Sequence, residues 1–462
     1  MQHSNNLLTE GSVGKGLWVV ALPIIISNFL ASILEVVDMY FIGKLGDVPI
    51  AGGAMSISII MVLTTVIFGT VTATAAFVSR AYGSERLERI PVILAHSLYL
   101  ALAFSAILMV IGIFWSQDLL LLLGAESEVA VVGARFLSPP MLMGMFVFVT
   151  LMILTTVFQS TGDSRTPMYV MIAVNIVNIV LNPTLITGLG GLPALGIAGS
   201  AYASLTSRTI GVLLLIGGVM YLPSRKNRPV RFPKKWTLEP QLIKDIVKIT
   251  IPSAVQSGGV RSFAFLGGMT AIVALYGTAA VAAYGICQRL DMLGLIFVMG
   301  GLCTGVAVMV GQNLGAGKVE RAEKAVRIAM IANASFMAMV GILYLLYAKN
   351  LLALFGATGE SLSNGILFMQ IIPMSYFVIA MAMTMGFAMN GAGMTRPGMY
   401  AAIAGQLIVQ VGLAAIFVTM GLPLQYIWYA VVCGTVVVFL CDLFFYRQGA
   451  WKTKKLNLGG EN

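Results

Sequence analysis

The sequence predicts an all-α polytopic membrane protein of twelve transmembrane helices, arranged as two parallel six-helix repeats (lobes) around a central cavity. Three observations predict it. Of 462 residues, 58% are hydrophobic and 10% charged, with a mean hydropathy of +0.93, whereas soluble domains carry about 25% charged residues. Twelve apolar runs follow one another, most of them near the ~20 residues that a bilayer span requires. The chain also repeats itself, with ordered anchors displaced by 229 to 232 positions.

The runs lie at 17–43, 50–78, 90–114, 131–158, 166–187, 194–221, 246–275, 280–310, 322–347, 362–390, 398–419 and 425–446. The first is too long for a signal peptide and lacks a cleavage pattern, so it reads as a span. The repeat anchors fall between runs or at their ends. Leu22-Pro23 answers Ile251-Pro252, GSERLER (83–89) answers GAGKVER (315–321), and LLGAESE (122–128) answers LFGATGE (354–360). QSTGDSRTPMY (159–169) answers NGAGMTRPGMY (390–400), and GLPALGI (191–197) answers GLPLQYI (421–427). Six spans per repeat is an even number, so both repeats enter the membrane from the same side. The expected divisions are a first lobe at 1–222, a basic linker at 223–240, a second lobe at 241–446 and a tail at 447–462.

The net charge of +10 is a topology signal. Of the 28 Lys and Arg, three lie in spans (Arg208, Arg261, Arg289) and three on the side opposite the termini (Lys44, Arg135, Lys349). All others fall on the terminal side, so the positive-inside rule places both termini in the cytoplasm of a multi-pass inner-membrane protein. Nucleic acid is not an expected partner; the lipid bilayer is. The four cysteines are scattered through apolar runs and the two histidines are far apart, so neither a metal site nor a disulfide framework is expected. GQNLGAGKV (311–319) fails the phosphate-loop spacing, with Gln312 and Val319 where Gly and Ser/Thr are required. No convergent catalytic set is legible, so an enzyme is not expected, and no cofactor.

The first span carries Glu35 and Asp38, three residues apart and on one helix face. A carboxylate at the centre of a membrane helix costs ~2.5–3.5 kcal/mol, which marks a functional site. Pro23 in the same span removes a hydrogen bond to Val19 and is a candidate hinge. At 1.5 Å of rise per residue, Asp38 lies at about the same depth as Asn182 in span five and Ser200 in span six; Glu35, Asn178 and Ser204 lie about a turn or two deeper. These six are the candidate cation and proton coupling residues.

In the second repeat, Arg261 and Asp291 lie at comparable depth on neighbouring spans and are expected to pair structurally, with Arg289 nearby; a gating role is the alternative. Span ten is rich in methionine, and Met381, Met385 and Met389 are candidates for lining a promiscuous cavity.

VVDMYFIGKLGDVPIAG, FVSRAYGSERLER, QSTGDSRTPMYVMIAVNIVNIVLNP and ICQRLDMLGLIFVMGGLCTGVAVMVGQNLGAGKVERAEKA together resemble the multidrug and toxic compound extrusion (MATE) family over essentially the whole chain. The resemblance implies a secondary antiporter that exports small cationic amphipathic compounds by alternating access, in exchange for H⁺ or else Na⁺, and that acts as a monomer. Asp38, Asn178 and Asn182 match the family's first- and fifth-span coupling positions. Polar residues in spans five and six are similar to the DinF-like branch, and the carboxylates of NorM-type members in spans seven and ten are missing here. The alternative reading is a flippase of related architecture for a lipid-linked substrate.

Overall fold

A computed structural model describes residues 8–139, 144–189, 191, 193–221, 230–260 and 263–459, except the side chains of 35, 139, 220, 221, 265, 266 and 292–297. The described residues that form regular structure are all helical. In the first repeat the helices are α1 (Val13–Gly43), α2 (Asp47–Leu63), α3 (Thr65–Gly83), α4 (Arg89–Leu122), α5 (Ser127–Pro139), α6 (Met145–Ser160), α7 (Arg165–Thr187) and α8 (Ile197–Tyr221). In the second they are α9 (Pro240–Ala254), α10 (Met269–Ala274), α11 (Thr278–Gly315), α12 (Val319–Leu354), α13 (Gly359–Ile371), α14 (Tyr376–Gly391), α15 (Arg396–Ala402), α16 (Gly412–Thr419), α17 (Gln425–Gln448) and the short α18 (Ala450–Thr453).

Among the described residues, nine helices are long and apolar enough to cross a membrane, or ten when α2 and α3 count as one span bent by 44°. The bend falls at Thr64, whose hydroxyl turns back to the carbonyl of Met61 at 3.1 Å. Two of the twelve apolar runs do not register as single long helices. The run at 131–158 contains residues outside the described set and ends in the 16-residue α6. The run at 246–275 breaks into α9, two wide π-helical stretches (Val255–Val260 and Phe263–Gly268) and α10. A further π-helical stretch, Ile403–Val411, joins α15 to α16. Wide turns of this kind are rare and concentrate at functional places in helices. Pro373, which has no amide proton to give, sits in the 3₁₀ turn Ile372–Ser375 between α13 and α14.

The chain's contacts fall into two compact units. One holds Ile26–Thr250 and the chain from Asn457; the other holds the chain up to Ile25 and Ile251–Leu456. The division falls inside α1, which runs unbroken through Pro23. Its first half therefore groups with the second repeat. The cause is local: Gly301 and Gly305 on α11 have no side chain where Ile25 and Ala21 lie, and a Cβ at Gly301 would stand 2.4 Å from Ile25 Cγ1. Val13, Leu17, Val20, Ala21 and Ile24 consequently share a buried cluster with Leu302, Val306 and Met309. Another core of the same unit centres on Trp428, stacked on Tyr284 at 5.5 Å and met edge-on by Phe368 at 5.0 Å.

The other unit holds its own fixed contact. Arg89 at the start of α4 donates to both oxygens of Glu239 at 3.0 and 2.6 Å, and its Nε donates to the carbonyl of Leu458 at 2.8 Å. His96, about two turns further along α4, accepts the backbone N–H of Glu239 on Nε2 at 2.8 Å. The end of the linker and the end of the chain are thereby tied to α4.

Candidate functional site

The second half of α1, α7 and α8 position one polar cluster. α7 and α8 approach closely because Gly199 opens α8: a Cβ there would lie 2.5 Å from the carbonyl oxygen of Leu185. Asn178 and Asn182 are spaced i, i+4 on α7 and share a face, and both are fully buried. They turn toward Asp38 on α1, which is 8% exposed.

Asp38 receives three neutral donors. Asn182 Nδ2 donates to its Oδ1 at 2.5 Å and Asn178 Nδ2 to the same oxygen at 3.4 Å. Ser204 Oγ donates to Oδ2 at 2.8 Å. The donors are themselves linked, Asn182 to the Oδ1 of Asn178 at 2.9 Å and Asn178 Nδ2 to Ser204 Oγ at 3.2 Å. Of the two span-six hydroxyls expected at this depth, Ser204 meets the carboxylate. Ser200, fully buried, has an Oγ without a hydrogen-bond partner. The Oδ1 of Asn182 is likewise buried and without a partner.

That arrangement has a chemical meaning. A buried carboxylate is tolerated when hydrogen bonds or a counter-charge compensate lost hydration. Here the hydrogen-bond donors are neutral, and the positive charge of Arg208 acts on the carboxylate as well. A protonated Asp38 has an acceptor within the same cluster, the free oxygen of Asn182. The cluster also collects hard oxygens from a carboxylate, two amides and the Ser204 hydroxyl, the ligand type that a hard cation requires. The residues therefore fit either a proton or Na⁺.

Arg208, one turn beyond Ser204 on α8, acts electrostatically on Asp38 and rests 5.0 Å above the ring of Phe148 on α6. The sequence locates Arg208 inside a span but assigns it no role. Its signal was present: Ser204 and Arg208 are i, i+4.

Other expected residues are distributed differently. Glu35 lies on α1, but its side chain is outside the described residues, and Arg261 is outside them altogether. Asp291 on α11 accepts a short hydrogen bond from the Tyr376 hydroxyl of α14, while Arg289 is exposed. Met381 is half-buried; Met385 and Met389 are enclosed, Met389 in the cluster that holds the first half of α1. Pro23 lies in that half as well. Among the described residues no cluster of His, Cys, Asp and Glu is placed to hold a metal.

One buried acid escapes the sequence reading. Asp442 on α17 is 3% exposed and its Oδ1 has no hydrogen-bond partner. It lies inside the last apolar run, where the criterion applied to Glu35 and Asp38 would have found it.

Comparison with known proteins adds four findings. A family model described as MatE matches residues 23–184 and 264–416. The probable multidrug resistance protein YoeA of Bacillus subtilis (strain 168) is 27% identical over 397 residues, covering 83% of this chain and 82% of its own. The probable multidrug resistance protein NorM of Thermotoga maritima is 24% identical over 96% of this chain and 94% of its own. Among solved structures, a MOP superfamily transporter from Pyrococcus furiosus superposes with a TM-score of 0.89 at 22% identity, covering 98% of this chain and 99% of that one, a likeness of fold.

Proposed function

This chain belongs to the MatE family, and from that premise we propose that it is a secondary active multidrug exporter, working by alternating access, that discharges its cargo by protonating Asp38. The single observation that carries the coupling reading is the buried carboxylate of Asp38 under three neutral donors from α7 and α8. It is a transporter and not an enzyme.

In the proposed cycle, ionised Asp38 gives the first lobe a negative charge that favours a cationic, amphipathic substrate. A proton arriving from outside removes that charge, turns the carboxyl toward the free oxygen of Asn182, and lowers affinity for the cation. Inward movement of one charge is driven by ~2.3 kcal/mol per 100 mV. Na⁺ is the alternative coupling ion at the same oxygens. Glu35 is assigned to the same pathway on its position in the first span. Pro23 supplies the bend of α1 between the two states.

The remaining architecture proposed for the function is twelve spans in two six-helix lobes flanking a central cavity, with both termini in the cytoplasm. The setting is the inner membrane and the working form a monomer. The polar residues of spans five and six favour the DinF-like branch. Efflux from proteoliposomes under separately imposed H⁺ and Na⁺ gradients tests the reading. The H⁺ gradient alone should drive export by the native chain, and Asp38→Asn should abolish it. Export by Asp38→Asn at the native rate would refute the site, and export driven by Na⁺ and indifferent to pH would reassign the ion.

A further inference from the structure

α7 and α8 do not pack evenly along their length. At Gly211 of α8 they touch: a Cβ there would stand 2.7 Å from Val174 Cγ2 and 3.5 Å from Val170 Cγ1 of α7. Six residues on, ~9 Å further toward the end of α8, a Cβ on Gly217 would meet nothing within 4 Å. Here the helices part around a groove of about 570 Å³, walled by Thr166, Tyr169 and Val170 of α7 and by Leu213, Leu214 and Gly217 of α8. Glycine is among the weakest helix formers, and at 217, unlike 211, no close protein contact requires one.

Position names the first property of the occupant. Both helices are apolar enough to span a membrane, and Tyr169 and Leu213 are exposed, so the groove opens to lipid rather than water. It lies along the first turns of α7 and the last turns of α8, at the end that leads into the basic linker. Tyr169 suits the depth at which a bilayer meets water, with an apolar ring and a polar tip. Groove walls that are apolar and lipid-facing call for an acyl chain.

Charge names the second. Arg165 opens α7 next to Thr166 and lies four residues from Tyr169, on one helix face. It is exposed and, among the described residues, makes no hydrogen bond or ion pair. The acid nearest in sequence is already engaged: Asp163 Oδ1 accepts the backbone N–H of Thr166 at 3.1 Å, and its Oδ2 accepts the Thr166 hydroxyl at 2.8 Å. A free guanidinium beside a lipid-facing apolar groove fits a phosphate at the membrane surface with a chain below it. A cationic amphiphile would be repelled at the same place.

We propose that this groove binds one anionic phospholipid of the surrounding leaflet, its phosphodiester on Arg165 and one acyl chain between Tyr169 and Leu213 against Gly217. Phosphatidylglycerol, with one negative charge and no positive one, is the matching headgroup. The lipid braces the two helices that carry Asn178, Asn182 and Ser204. Only the naming of that leaflet as the cytoplasmic one rests on the topology proposed above, and the test does not depend on it.

The purified full-length chain, stripped of lipid in detergent, is titrated by native mass spectrometry with phosphatidylglycerol and with phosphatidylcholine bearing the same chains. The first phosphatidylglycerol should bind about fivefold tighter than the first phosphatidylcholine, the preference that one basic side chain at a membrane surface confers. Arg165→Gln should bring the two affinities together. Gly217→Leu, whose added Cβ meets no neighbour within 4 Å, should weaken both. A preference that survives Arg165→Gln, or native binding of both lipids by Gly217→Leu, overturns the proposal. Where a variant fails to fold, the native chain is photolabelled with phosphatidylglycerol carrying a diazirine in one acyl chain. Label should concentrate in residues 166–170 and 213–218; label spread evenly over the lipid-facing helices overturns the site. Glycerophosphoglycerol, the same headgroup without chains, should not compete. Competition by it would show an anion site without a lipid groove, and displacement of the lipid by tetraphenylphosphonium would make the groove a cargo entrance; either result overturns the proposal.

Discussion

Asn182 donates to Asp38 at 2.5 Å from a position 144 residues further along the chain. The same amide donates to Asn178 on its own helix at 2.9 Å, so one side chain joins the acid of α1 to the polar face of α7. A hydrogen bond to a charged group contributes ~1.5–3 kcal/mol. Asn182→Leu should therefore cost roughly 2 kcal/mol of stability and weaken ion-driven export, whereas Asn178→Leu, whose bond to Asp38 is 3.4 Å, should do less. Thermal unfolding in detergent and efflux assays on both variants check the order.

Gly199 sets the spacing of that site. Any side chain there drives into the carbonyl of Leu185, with a Cβ at 2.5 Å. Overpacking of this kind costs about 1–3 kcal/mol. Gly199→Val should lower the unfolding midpoint and loosen the Asn182–Asp38 contact. A variant that unfolds and exports like the native chain would contradict the packing argument.

The linker tie has a defined pH response. The hydrogen bonds from Arg89 hold the Glu239 carboxyl below the usual glutamate range. A depressed folded value means that the pair stabilises the fold above the ordinary glutamate range, and that this contribution fades as pH falls through the folded value. Glu239→Gln should flatten that acid limb of the unfolding midpoint against pH while changing little near neutrality. Since Glu239 is partly exposed, the effect is small and should shrink further in high salt.

Tyr376 gives Asp291 its hydrogen bond across α11 and α14. Tyr376→Phe leaves a buried acceptor short of its donor, at a cost of about 1–3 kcal/mol. The expected result is a lower unfolding midpoint, with export falling no further than stability accounts for. A specific loss of export at unchanged stability would instead give Asp291 a transport role.

Much of this was legible beforehand. Apolar runs and repeat anchors locate nearly every helix, because in lipid the backbone has to satisfy itself by helix formation. Asp38, Asn178, Asn182 and Ser204 were within reach because span depth follows from counting at 1.5 Å per residue. Counting gives depth but not azimuth, so Ser200 and Ser204 were inseparable until α8 was placed against α7. Wide turns at Val255–Val260, Phe263–Gly268 and Ile403–Val411 escape a 3.6-residue pattern, since they depend on what packs beside them. The grouping of Val13–Ile25 with the second repeat was invisible as well, because it depends on Gly301 and Gly305 nearly 300 residues away.

That grouping constrains how the protein can be taken apart. A fragment cut at the linker, residues 241–456, would hold all six runs of its repeat yet lack Leu17, Val20 and Ala21, each fully enclosed in its core. An apolar trough along α11 would open, and the orphaned fragment should aggregate or be degraded when made alone. Supplying residues 8–43 on a separate chain should rescue it. Although duplication wrote the sequence as two halves, the first helix makes them one inheritance: neither repeat can be lost, swapped or evolved as a free-standing module without α1 being remade on the other side.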